Sequence, residues 1–181
     1  MDSNEKIEFI ARYMPIILQL NNKQTAEKIA DVWIEMLHRS TWDSIDDAAF
    51  KEGIAGKNLV SHVNCTTESA LAVSKIITKY HGIVFDEDRL IAMGLLHDVD
   101  KMIGYEMDDN GEIIISEMGE KIQHGVMTTI LAYNAGFSTD LLHLILTHTP
   151  TQNMKPIYPE GILFGHIDIC DWELVVKFFK R

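Results

Sequence analysis

Apolar residues recur at helical spacing along nearly all of the 181-residue chain, and only one stretch has the pattern of strand. That periodicity predicts an all-α architecture. A first helix is expected from about Asn4 to Leu20, with Pro15 kinking or breaking it. A second opens at Thr25 as its N-cap and carries Ile29, Trp33, Met36 and Leu37 on one face, with residues 21–24 as the turn before it. Gly53 and Gly56 mark a loop between Trp42 and Asn58. A long helix follows from Leu59 to Tyr80, stopped by Gly82. Asp86 caps the next, which runs through Leu90, Ile91, Leu95 and Leu96 to about His97. Tyr105 to Ile115 reads as a β-hairpin, because Asn110-Gly111 suits the positive backbone angles of a tight turn. A lone hairpin is marginal in water and must lean on the helices. Three more helices are expected over Glu117–Ala135, Ser138–His148 and Glu160–Phe179. Gly136 ends the first of these, and Pro150, Pro156 and Pro159 punctuate the loop before the last.

Length and composition fit a soluble globular chain, with 46% hydrophobic and 24% charged residues. No stretch has the apolar length of a membrane span. Met1 to Lys6 lacks the basic start and apolar run of a secretory signal, so a cytoplasmic location is expected. The formal net charge of −11 repels duplex nucleic acid. The only basic cluster, Lys177, Lys180 and Arg181, reads as cations favourably placed at a helix C-terminus. A small phosphorylated substrate stays compatible with the acidic balance where carboxylates ligate cations. Cys65 and Cys170 are too few for a disulfide scaffold or a cysteine zinc site, and both are expected to be small buried hydrophobes.

The eight histidines are not equally informative. One ordered set stands out: His62, the adjacent pair His97-Asp98, then His124, His148 and Asp168. Each falls on, or at the end of, a different predicted helix. Imidazole nitrogen with carboxylate oxygen suits iron, manganese, cobalt, nickel or zinc, whereas magnesium or calcium sites are built mainly from oxygen. His166 lies two residues from Asp168 and so points to another helix face. His38, His81 and His143 have no partner in the pattern. Thr149 and Thr151 follow His148 closely enough to reach a substrate, although loop residues of this type are commonly structural. Ile162, Leu163, Ile167, Ile169 and Trp172 read as core.

The run Gly94-Leu95-Leu96-His97-Asp98-Val99-Asp100-Lys101 resembles the signature of HD-domain metal-dependent phosphohydrolases, in which an apolar helix ends at His-Asp and a lysine follows three residues later. His62 upstream and Asp168 downstream match that family's other single-metal ligands. His124 and His148 resemble the six-ligand variant that holds two metals. The resemblance extends roughly from His62 to Asp168. It implies an HD-type helical bundle of about seven helices with one short hairpin, and one or two divalent transition metal ions. His62, His97, Asp98 and Asp168 would hold the first, and Asp98 would bridge to a second held by His124 and His148. A bridging carboxylate lets two cations sit within about 4 Å and lower the pKa of a water between them. Lys101 stands where the motif contacts a substrate phosphoryl oxygen. Asp98 and Lys101 are thus the catalytic candidates.

Three functions follow for comparison. The first is hydrolysis of a nucleotide or another small phosphorylated metabolite. The second is a di-iron oxygenase of the same superfamily, cleaving C–C or C–P bonds with the same ligand order. The third is a non-catalytic sensing or scaffold module in which metal stabilises the fold. Retention of Lys101 favours hydrolysis. Residues 1–55 fall outside the resemblance as an N-terminal helical extension to the HD-type unit of 56–181, within one compact whole. They are expected to act as a lid or to form a contact in a homodimer.

Overall fold

The segment Leu90-Ile91-Ala92-Met93-Gly94-Leu95-Leu96 is apolar on every side, and a helix of that kind is stable only when surrounded. A computed structural model, describing residues 1–54, 56–149 and 154–179, places it at the centre of an all-α bundle. Around this helix, α4 (Glu87–Leu96), pack α2 (Lys23–Arg39), α3 (Leu59–His81), α8 (Thr139–Thr147) and α9 (Pro159–Phe179). All seven residues of the run are buried. The remaining elements are α1 (Ser3–Ala11), α5 (Lys101–Gly104), α6 (Glu117–Lys121), α7 (Val126–Asn134), two 3₁₀ turns (Pro15–Gln19 and Ile45–Asp47) and the antiparallel strands β1 (Tyr105–Met107) and β2 (Ile113–Ile115). The strands pair Tyr105 with Ile115 and Met107 with Ile113.

Local chemistry sets the boundaries. Asp2 and Glu5 form a reciprocal capping box on α1. Pro15 does break the first predicted helix: α1 stops at Ala11, and a 3₁₀ turn starts at Pro15. Thr25 is not the cap of α2. Asn22 takes that place, its Oδ1 accepting from the backbone N–H groups of Gln24 and Thr25, so Lys23 and Gln24 are helical rather than a turn. Gly82, at φ 70°, ends α3 in the left-handed conformation, and Asp86 caps α4 through the Arg89 N–H.

Four expectations need correction. The predicted helix over Glu117–Ala135 is interrupted between α6 and α7, where Gly125 turns back with φ 84°. Its N–H is captured by the buried Asp100 carboxylate at 2.6 Å, a tertiary bond that periodicity cannot register. The hairpin has a longer connection than a two-residue turn. Only Gly111 takes positive φ, and Asp108 Oδ1 accepts from the N–H groups of Asn110 and Glu112. Cys65 and Cys170 are both exposed, because they lie off the buried stripes of α3 and α9. The α9 series is likewise split: Leu163 is buried, while Ile162 and Trp172 face outward. Pro150, Thr151, Lys180 and Arg181 lie outside the described residues. Among the described residues no helix is long and apolar enough to cross a membrane.

The N-terminal helices join the same core. Trp33 is fully buried and its indole N–H donates to the Leu95 carbonyl at 2.8 Å. Close approach of α3 to α4 depends on Gly94, where a Cβ would meet Thr67 Oγ1 at 2.4 Å and Thr67 Cβ at 2.9 Å. Gly94→Ala should therefore force the two helices apart and destabilise the fold by about 1–3 kcal/mol, read as a lower urea midpoint. Thr67→Ala in the same chain should restore part of the loss.

Candidate metal centre

Because α4 is buried to its end, the residues that terminate it are delivered into the interior. His97 is the C-cap and Asp98 follows it, with side chains fully and almost fully buried. The last carbonyls of a helix lack intrahelical partners, and here a histidine supplies one. His97 Nδ1 donates to the Gly94 carbonyl at 2.8 Å. The same device recurs at α8, where the C-cap His148 donates from Nδ1 to the Ile145 carbonyl at 2.6 Å. A carbonyl can only accept, so Nδ1 carries a proton, and it is Nε2 that each ring turns inward.

The other side chains arrive from four directions. His62 sits in the first turn of α3, whose N-cap Asn58 accepts from the Ser61 N–H. Asp168 and Asp171 lie three apart on α9 and so share a face. They grip His62 from both sides, with Asp168 Oδ1 3.1 Å from Nε2 and Asp171 Oδ2 2.6 Å from Nδ1. His124 comes from the break before α7, not from a helix. Its Nδ1 lies 2.8 Å from Asp100 Oδ1, and the other oxygen of that carboxylate holds the next residue's N–H. Phe50, from the loop preceding α3, stacks on His62 at 4.5 Å between centroids, and Phe164 packs edge-on against His97 at 4.8 Å.

All six residues singled out by order in the sequence thus converge, in two groups that share Asp98. Asp98 Oδ2 lies 3.1 Å from His62 Nε2 and 3.4 Å from His97 Nε2. Asp98 Oδ1 lies 2.8 Å from His124 Nε2 and 3.6 Å from His148 Nε2. Within each group the paired Nε2 atoms stand 3.2 Å and 3.1 Å apart. Nitrogens bound at about 2.1 Å to one ion are separated by roughly 3.0–3.4 Å. Lone pairs aimed at each other at that spacing need a cation or a proton between them. Asp98 Oδ2 is buried without a hydrogen bond of regular geometry, which also fits a cation site. Lys101 Nζ approaches it to 2.5 Å, rests over the Phe50 ring and is mostly buried, so Lys101 is no solvated helix-end lysine.

Burial alone would strip the proton from His62, but the carboxylates of Asp168, Asp171 and Asp98 outweigh it and raise its pKa to about 10. His124 is raised in the same manner by Asp98 and Asp100 against its burial. His97 goes the other way, since burial outweighs the pull of Asp98. Asp98 is held well below the usual carboxylate range: burial opposes ionisation, but the charges of His97, Lys101 and His124 prevail.

A cavity of about 540 Å³ opens over this cluster, and Asp98, Lys101, His124, Thr149 and Asp168 lie on its wall. His124 is the most exposed of the six, its side chain 32% accessible. His166, His38 and His81 are exposed and apart from the cluster. His143 instead accepts from the Ile157 N–H through Nε2. Asp100, Asp171 and Phe50 were not singled out by the sequence reading. Asp100 stood within the quoted motif, and Asp171 lay one turn beyond Asp168.

Two predictions follow from the protonation pattern. In metal-free protein the stabilising charge on His62 is fully present below its unfolded value of 6.5 and fades as pH climbs toward about 10. The depressed Asp98, Asp168 and Asp171 contribute above 3.8 and lose that contribution as pH falls. Chelated protein should therefore lose melting temperature between pH 6.5 and 10, while Mn²⁺ should cancel that alkaline loss and release protons on binding, followed by calorimetry in buffers of different ionisation enthalpy. Asp171→Asn and Asp100→Asn should each weaken metal binding by about 10- to 100-fold, read from metal titrations, because each carboxylate orients a candidate ligand.

Residues 67–173, more than half the chain, match the HD domain family, a span that holds the His97-Asp98 pair, His124, His148 and Asp168 and begins just after His62. No curated protein and no solved structure matches the chain. With the His/Asp cluster compatible with a metal site and the matching span in hand, the chain belongs to the HD domain family.

Proposed function

We propose that the protein is a metal-dependent phosphohydrolase acting on a nucleotide or another small phosphorylated metabolite, with Asp98 and Lys101 as its catalytic residues. The observation that carries this reading is the buried Asp98 carboxylate, with one oxygen turned to each histidine pair, beside a lysine at the floor of an accessible cavity. His62, His97, Asp98 and Asp168 would hold one divalent ion, and Asp98, His124 and His148 a second. The donor set suits iron, manganese, cobalt, nickel or zinc. When bound, such ions supply Lewis acidity toward a phosphoryl oxygen and a water of lowered pKa.

The chain's own groups do the rest. Asp98 fixes the spacing between the two positions. Asp171 and Asp100 hold the rings of His62 and His124, so the geometry exists before substrate arrives. Lys101 Nζ, no longer needed to balance Asp98 once cations are present, is placed to donate to a phosphoryl oxygen and to stabilise charge gathering there. Phe50 and Phe164 exclude water from the inner pair of histidines.

Elemental analysis of protein purified without chelator, wild type beside His124→Ala, tests the centre. About two metals per chain should fall toward one. Phosphate release from a panel of mono- and diphosphoesters tests the chemistry, and Lys101→Ala should lower kcat/KM by about 10²- to 10³-fold with metal content unchanged. An iron-loaded protein that releases no phosphate, and instead takes up oxygen with polyols or phosphonates, would replace hydrolysis by the oxygenase reading.

A further inference from the structure

The cavity's lining combines charged and apolar side chains. Asp98, Asp100, Asp168 and Lys101 belong to the buried cluster. Phe50, Ile115, Met118, Ile122, Met127 and Trp172 supply apolar surface, Phe50 packed directly on His62. Four of those six side chains, Ile115, Met118, Ile122 and Trp172, are about 37–44% exposed, an unusual concentration of apolar surface inside a concave site. The uncharged polar side chains on the wall include Tyr105, Gln123 and Thr149.

Charge sets a further limit. Among the described residues, Lys101 and Lys51 are the lysine or arginine side chains on the wall, and Lys51 is paired with Glu52 at 3.2 Å. With two divalent ions in place, their charge and that of Lys101 would exceed the buried carboxylates by about the charge of one phosphoryl dianion. Among the described residues no further lysine or arginine lines the wall for a second phosphate. A volume of about 540 Å³ falls within the roughly 300–1,000 Å³ of sites that enclose a small organic ligand.

We infer that this cavity takes a compound with a single phosphoryl or phosphonyl group and an apolar organic remainder, the remainder lying along the hairpin and α6 wall. As a substrate assignment this rests on the phosphohydrolase reading. The step is then hydrolysis of a monoester: a water oxygen bonds to phosphorus as the ester P–O bond breaks, one water proton leaves with the alcohol, and hydrogen phosphate is the second product. No electrons are exchanged.

The test uses two arms on the full chain loaded with Mn²⁺. In the first, phosphate release is followed for n-alkyl monophosphates from methyl to octyl beside glycerol phosphate, AMP, ADP and ATP. The inference expects kcat/KM to rise about two- to fourfold per methylene until the cavity is filled, with ADP and ATP at least tenfold below the best ester. Robust release with no chain-length dependence, or with ADP or ATP preferred, overturns it. In the second arm, n-alkylphosphonates of the same lengths are titrated by calorimetry. Affinity that rises with length, with an increasingly negative heat-capacity change, supports the inference even where no ester is cleaved, in which case only the hydrolase reading falls. Affinity independent of length overturns it. Met118→Glu, at a half-exposed position, should flatten both series, with metal content and melting temperature confirming that the variant is folded.

Discussion

The helix α4 is enclosed on every side over Leu90–Leu96 and ends inside the protein, and that constraint organises the rest of the molecule. At the end of α4 the orphaned carbonyls, the His97 ring and the Asp98 carboxylate are all withdrawn from water. A buried carboxylate with no counter-charge is among the most costly groups a fold can hold. Asp98 is surrounded by Lys101 and the imidazoles of His62, His124 and His148, four groups from other elements brought to the same point. In this sense the bundle is packed around a charge as much as around its apolar core.

The helix ends also solve a problem of proton placement. Imidazole can present either nitrogen, and a cluster in which rings chose at random would have no defined lone pairs. At α4 and α8 the unsatisfied i−3 carbonyl fixes Nδ1 as the donor, so backbone geometry selects the tautomer. His62 and His124 have no such carbonyl and rely on Asp171 and Asp100. The four rings therefore converge through two distinct devices, one intrinsic to helix termination and one that requires a second acidic residue. Deep burial of the His62–His97 pair, against the partly accessible His124, makes the two groups unequal: the first is closed by Phe50 and Phe164, the second faces the cavity.

Much of this was legible in the order of residues. Helical spacing gave α3, α4, α8 and α9 within a residue or two, and the ordered histidines and aspartates proved to be neighbours in space. What escaped depended on contacts distant in sequence. The break at His124-Gly125 is held by Asp100, and no local propensity encodes it. Asn22 rather than Thr25 caps α2, a choice between two competent residues that tertiary fit decides; Asp88 also accepts from the Asn21 and Asn22 N–H groups. Cys65 and Cys170 looked apolar enough to bury, yet their helical phase turns them outward. Trp172 was read as core for the same kind of reason and instead flanks the cavity.

The position of the break has a consequence for how chemistry and selectivity are divided. His62 and Asp168 sit on the long helices α3 and α9, and His97, Asp98 and His148 at the buried ends of α4 and α8, where a substitution disturbs packing and charge together. Much of the cavity's apolar wall comes from the short hairpin, α6 and the residues up to His124, elements with few buried side chains of their own, and Phe50, Met127 and Trp172 complete it. Gly119 packs so closely on the Gly104 carbonyl that this wall keeps its distance from α5 despite its shortness. Residues such as Ile115, Met118 and Ile122 can therefore change at little cost to the fold, while the cluster beneath them cannot. Under the proposed function, selectivity among ligands would be set largely by this wall, and the motif that reveals the family says nothing about it.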